Sequence, residues 1–190
     1  MEKKYIEDKT FDKVDFTKNH IDKGEYENCA FLNCDLSNSN LADVVFSNCE
    51  FNTSNISSAK ITNTSFKNVV FKNCKMLGLH FDSCNSFLLE FNFENCALNL
   101  SSFYKLKLKK INFKNCNLQE VDFSETDLTQ VIIENCDLLN ATFDRTILEK
   151  TDFRTAYHYS IDPEKNNIKK AKFSLNGIKG LLDKYDIVIE

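Results

Sequence analysis

The feature that most constrains this chain is a period of five. Stepping from Phe11 in fives gives Phe16, Ile21, Tyr26, Phe31, Leu36, Leu41, Phe46, Phe51, Ile56, Ile61, Phe66, Phe71, Met76 and Phe81. That is fifteen apolar residues in succession. The step to Ser86 fails, and the series resumes two residues out of phase. It then runs Leu88, Phe93, Leu98, Phe103, Leu108, Phe113, Leu118, Phe123, Leu128, Ile133, Leu138, Phe143, Leu148 and Phe153, with Ile168 and Phe173 still in phase beyond His158 and Pro163. Five matches neither the 3.6 of a helix nor the 2 of a strand. The chain must therefore turn a corner about every five residues, so that each central residue points inward.

The residue two before each centre is a second inward position. It is small or apolar: Cys29, Cys34, Ser39, Val44, Cys49, Ser54, and later Cys116, Val121, Thr126, Val131, Cys136, Ala141. Charges fall on the other three positions. Four such sides make a coil of 20 residues, so centres 20 apart should stack. One column then reads Phe11, Phe31, Phe51, Phe71, Phe93, Phe113, Ile133, Phe153, Phe173. Coils spaced at about 4.8 Å would build a rod on the order of 40 Å long. The scarcity of Gly (4) and Pro (1) means that other residues must make the corners.

Cys34-Asp35-Leu36-Ser37-Asn38 and Ala141-Thr142-Phe143-Asp144-Arg145 carry the pattern small, Asp/Asn or polar, Leu/Phe, polar, polar. In this the chain resembles the pentapeptide-repeat family over residues 9–173. The resemblance implies an all-β fold, a right-handed quadrilateral β-helix. The Asn-Cys pairs and Phe-rich centres look most like the Qnr-type, quinolone-resistance branch. The expected organisation is an N-terminal capping segment (1–10), the β-helix (11–173) with a two-residue insertion near 84–90, and a C-terminal helix and strand (174–190).

All eight Cys sit two residues before a centre, counting Ser86 as the failed one. They read as small fillers of a narrow core rather than as a metal array or a disulfide ladder. His20, His80 and His158 have no partners at triad or metal spacing. No phosphate loop or nucleophile elbow occurs. A non-enzymatic protein without cofactor or metal is expected. The net charge of -4 and pI of about 5.5 argue against direct nucleic-acid binding. The apolar runs are too short to span a membrane, and the charged N-terminus does not resemble an export signal, so a cytoplasmic protein is expected.

Three candidate surfaces follow. Residues 119–152 hold nine acids against Arg145 and Lys150: Glu120, Asp122, Glu125, Asp127, Glu134, Asp137, Asp144, Glu149 and Asp152. All take outward positions, and outward carboxylates can imitate DNA phosphates. The insertion near 84–90 offers Phe87 and Leu89. The C-terminal segment offers Leu181, Leu182, Tyr185, Ile187 and Ile189 for a homodimer, which the Qnr resemblance also implies. It further implies a type II topoisomerase partner, DNA gyrase or topoisomerase IV, with a scaffolding role toward another protein as the alternative.

Overall fold

The structure, a computed structural model, describes residues 4–87, 89–109 and 111–188. Leu88 and Ile189, both singled out by the sequence, lie outside these residues.

The chain is an all-β solenoid of parallel coils. Strands β1 (Lys4–Glu7), β3 (Gly24–Glu27), β5 (Val45–Ser47) and β7 (Ser65–Lys67) form one sheet. A second, on the adjoining side, stacks β2 (Thr10–Asp12), β4 (Ala30–Leu32), β6 (Glu50–Asn52), β8 (Val69–Lys72), β9 (Phe91–Glu94), β10 (Asn112–Lys114) and β11 (Ile132–Glu134). The register is the 20-residue step: Phe11 pairs with Phe31, Phe31 with Phe51, and Phe51 with Phe71. Phe71 pairs with Phe93, a step of 22 that absorbs the insertion. The other two sides are held by single parallel bridges, such as Asp35 to Asn55 and Asp122 to Thr142. We number the sides by their first centres: Phe11 (first), Phe16 (second), Ile21 (third) and the sheet through Tyr26 (fourth).

The centres form aromatic columns. Phe31 and Phe51 stack with centroids 4.5 Å apart, Phe81 and Phe103 at 4.7 Å. Neighbouring columns meet edge-on, as Phe103 meets Phe113 at 83°. Both geometries suit the ring quadrupole.

The small position has a further duty. Its side chain donates to the carbonyl of the centre 23 residues earlier. Thr64 reaches Leu41 O at 2.8 Å, Thr146 reaches Phe123 O at 2.9 Å, and Ser101, across the insertion, reaches Met76 O at 2.9 Å. Cys49 and Cys74 make the same contact at 3.4 Å, to Tyr26 O and Phe51 O. A buried hydroxyl is tolerated here because its hydrogen bond is supplied.

The corners explain the scarcity of Gly. The second residue after most centres has positive φ, and Asn is the commonest residue there: Asn28, Asn33, Asn48, Asn73, Asn95, Asn115 and Asn135 lie between 50° and 55°. Asn tolerates this region better than most residues. Along one corner these side chains form a ladder, with Asn95 Nδ2 to Asn73 Oδ1 at 3.2 Å and Asn115 Nδ2 to Asn95 Oδ1 at 3.0 Å.

His158, where the five-residue series is interrupted, stays out of the core at φ 58°, and Tyr159 is buried instead against Phe153 and Phe173. Two expectations are corrected. The N-terminal segment is not out of pattern: β1 pairs Ile6 with Tyr26, so the period extends back into it. The C-terminal segment forms two 3-10 turns, Ile178–Leu181 and Asp183–Tyr185, and residues 186–188 form no strand. The 3-10 turns are dictated by packing. A Cβ on Gly180 would lie 2.1 Å from Tyr159 O, and one on Gly177 would lie 2.2 Å from its hydroxyl. Two glycines thus let the cap backbone lie directly on Tyr159, and Ile161 N–H donates to Gly180 O at 2.8 Å.

Candidate protein-interaction surfaces

The nine candidate acids are contiguous in sequence but not in space, because each five residues turn a corner. Asp152 and Glu134 lie on the first side, Asp137 and Glu120 on the second, Asp127 and Glu149 on the fourth. Asp122, Glu125 and Asp144 share the third, where Glu125 N–H donates to Asp144 O and Asp122 bridges to Thr142.

Four of the nine also hold corners. The carboxylates of Asp122, Asp127, Asp137 and Asp152 each accept the backbone N–H two residues on, at 2.8–3.1 Å. This local bond mimics a backbone turn, and Asn55 and Asn117 do the same elsewhere. The Asp and Asn residues before these centres therefore serve the fold as well as the surface.

Cations compensate several of the nine. Arg145 reaches Glu125 at 2.9 Å and Asp144 at 3.3 Å. Lys109 reaches Asp127 at 3.2 Å and Arg154 grips Asp152 at 2.8 Å, and a ring nitrogen of His158 lies 2.9 Å from an Asp137 carboxylate oxygen. The guanidinium of Arg145 lowers the Glu125 pKa, and that of Arg154 lowers the Asp152 pKa. For Asp137, partial burial raises the pKa, but hydrogen bonds from Gln119 and His158 outweigh it and the net direction is down.

At the insertion, Phe87 is 72% exposed, whereas Leu89 is half-buried against the core. Only Phe87 is displayed. The turn also brings Phe91 into the small position, fully buried between Phe81 at 5.3 Å and Phe93 at 5.0 Å. Its ring fills the core where the five-residue phase breaks.

On the cap, Leu181 packs on the core and Leu182 is half-buried, while Tyr185 and Ile187 are exposed, as are Leu175, Ile178 and Val188. A cleft of about 540 Å³ separates the cap from the solenoid, lined by Leu139, Arg154, Tyr157, His158, Tyr159 and Lys179 among others.

Sequence reasoning missed the second side. From Lys75 to Tyr157 its outward positions carry three charges, Lys75, Glu120 and Asp137, and it exposes Leu77, Leu100, Leu139 and Tyr157. The signal was available: Leu100 and Leu139 stand at outward positions of the repeat.

The eight thiols are free and buried. Burial pushes the Cys49 thiol up to about 12 and raises those of Cys34 and Cys84. Among the described residues no group of three His, Cys, Asp or Glu is arranged to hold a metal ion, and no helix is long and apolar enough to cross a membrane.

No curated protein sequence matches the chain. Among solved structures it is similar to full-length QnrB1, described as a plasmid-mediated fluoroquinolone resistance protein, with 17% identity over 97% of this chain and 100% of that one, at a TM-score of 0.47. A trypsin-treated variant of QnrB1 is 19% identical over 99% and 98%, at a TM-score of 0.48. HetL, a pentapeptide repeat protein involved in heterocyst differentiation regulation from Nostoc sp. strain PCC 7120, is 12% identical over 88% and 84%, also at 0.48. The family description "Pentapeptide repeat region" matches residues 64–143 and 88–181, and "Pentapeptide repeats (8 copies)" matches residues 29–68. With the five-residue register in the sequence and the 20-residue register in the fold, the chain belongs to the pentapeptide-repeat family.

Proposed function

We propose that this chain is a non-enzymatic protein-interaction rod that binds a type II topoisomerase, DNA gyrase or topoisomerase IV, as a DNA mimic and thereby contributes to quinolone resistance. The observation that supports this reading best is the third side. Asp22, Asp43, Asp82, Asp122, Glu125 and Asp144 occupy outward positions there, on five of its seven coils, interspersed with Lys23, Lys60, Lys105 and Arg145. A line of carboxylates along a rod offers a basic groove the kind of field that DNA phosphates present. The Qnr-like repeat pattern supports the choice of partner, and QnrB1 is itself described as a fluoroquinolone resistance protein. The exposed Leu175, Ile178, Tyr185, Ile187 and Val188 support a homodimer through the cap.

A second reading, a scaffold for another protein, draws on a different observation. The strongest carboxylates already have cation partners, and the second side is sparsely charged. A supercoiling assay with and without a fluoroquinolone, titrated with this protein, separates the two. Protection or inhibition supports the topoisomerase reading; no effect at any concentration leaves the scaffold.

A further inference from the structure

The fourth side carries opposite charge at its two ends. On its first three coils the outward positions hold Glu7, Asp8, Glu25 and Glu27 and no cation. The parallel register sets Glu7 beside Glu27 and Tyr5 beside Glu25, so these acids stand on adjoining strands. On its last four coils, among the described residues, the outward positions hold Lys107, Lys109, Lys150, Lys169 and Lys170 against Asp127 and Glu149. Both of those acids are already answered, Asp127 by Lys109 at 3.2 Å and Glu149 by Lys150 at 3.7 Å. Among the described residues Glu7, Glu25, Lys107, Lys169 and Lys170 have no ion-pair partner.

Between the two ends stands Phe87. Two main-chain bonds lay the insertion on this side, from Asn85 N–H to Thr64 O at 3.0 Å and from Glu90 N–H to Phe66 O at 2.9 Å. It is the fifth of the nine coils that begin at Ile6 and end at Ile168. Phe87 is 72% exposed there.

A face that is negative at one end, positive at the other and aromatic in the middle is complementary to itself turned round. A two-fold axis through the middle coil sets the first coil against the ninth of a second copy, and the second coil against the eighth. Glu7 and Asp8 then face the second copy's Lys169 and Lys170, and Glu25 and Glu27 face its Lys150. Each contact occurs twice. Phe87 meets its own copy at the centre, where an aromatic ring is best shielded from water. The fourth coil is the exception, since Lys67 meets the sixth, where Lys107 stands; Glu90 on the middle coil lies between them. Laid parallel, the two copies would oppose like charges, so charge selects the antiparallel arrangement. Nine coils span about 38 Å, and a side about 15 Å across then buries roughly 1,100 Å² in all, the size of a weak association.

We propose that the fourth side is a self-association surface, on which a second copy of this chain docks antiparallel about a two-fold axis at Phe87. This surface is distinct from the cap, because the arrangement sends the two caps to opposite ends. It does not depend on the topoisomerase reading.

The test is cross-linking of the full chain. The eight native thiols are buried, so Phe87→Cys places an accessible thiol at the axis. Leu100→Cys, on the second side, is the control. A short bis-maleimide at low salt should join two copies of the Phe87→Cys protein at least tenfold more than the control, and high salt should abolish the difference. In that background Glu7→Lys with Glu25→Lys makes both ends basic, and Lys169→Glu with Lys170→Glu makes both ends acidic. Unchanged melting temperatures verify folding. Each pair alone should lose at least tenfold in cross-linking, and an equimolar mixture of the two should regain it. Gly180→Ala, which disturbs the cap, should leave it unchanged. Cross-linking no greater than the control, loss that the mixture does not restore, persistence in both charge variants, or dependence on Gly180 would overturn the proposal. Supercoiling assays on the same charge variants report separately on the topoisomerase reading.

Discussion

The hydroxyl of Thr126 donates to the main-chain carbonyl of Phe103 across 2.9 Å, from one coil and one side to the next. Thr126 is fully buried, and so is Phe103. One atom thus ties a corner to the coil beneath it. Thr126→Val keeps the shape and leaves that carbonyl without this donor. A loss of about 1–3 kcal/mol is expected, read as a lower urea midpoint at unchanged slope. A midpoint equal to wild type would mean the bond contributes nothing.

The aromatic columns carry most of the core. Phe113 stacks on Phe93 at 5.2 Å and meets Phe103 and Phe123 edge-on. Phe113→Ala should cost about 3–5 kcal/mol. Phe113→Asp adds an unpaired buried charge and should abolish folding at moderate temperature. Circular dichroism melts decide both.

Acid should loosen the corners. Asp152 is lowered below its ordinary value, first by the hydrogen bond from Arg154. A carboxylate depressed in the folded state stabilises fully above its unfolded pKa of about 3.9 and loses that contribution as pH falls through the folded value. Asp152→Asn keeps an acceptor for the corner N–H of Arg154, so its urea midpoint should fall less steeply than that of wild type below pH 4. Parallel acid titrations of the two proteins would contradict this.

The thiols should be slow to react. Cys49 has its pKa pushed up to about 12 by burial, so little thiolate exists at neutral pH. Labelling by a maleimide should be complete only in denaturant. Rapid reaction of most of the eight thiols in the native protein would refute the inward assignment.

The cap depends on close approach. Gly180→Ala places a Cβ against the Tyr159 carbonyl and should detach the 3-10 turns. If the cap also mediates a dimer, sedimentation of this variant should shift toward monomer, while the solenoid keeps its far-UV spectrum. Under the topoisomerase reading proposed above, Asp122→Asn, Glu125→Gln and Asp144→Asn together should slow association with the enzyme, most of all at low salt, where exposed charges act over longer distances.

The sequence by itself determined the inward set and the coil length. Five-residue spacing of Phe and Leu, with a small residue two before, admits only a chain that turns repeatedly and stacks. Even the size of the insertion was legible, as a phase shift of two. What only tertiary structure decided was neighbourhood. Adjacent residues of a solenoid side are separated from the next side by a corner, so the acidic run of residues 119–152 disperses over four sides while Glu125 and Asp144, 19 apart, become neighbours. The same geometry gathers Leu77, Leu100, Leu139 and Tyr157, scattered over 80 residues of sequence, onto one sparsely charged side. Tyr159 displaced His158 from the core for a local reason: an imidazole paired with Asp137 keeps its polar ring in water, and the next aromatic ring takes the buried place.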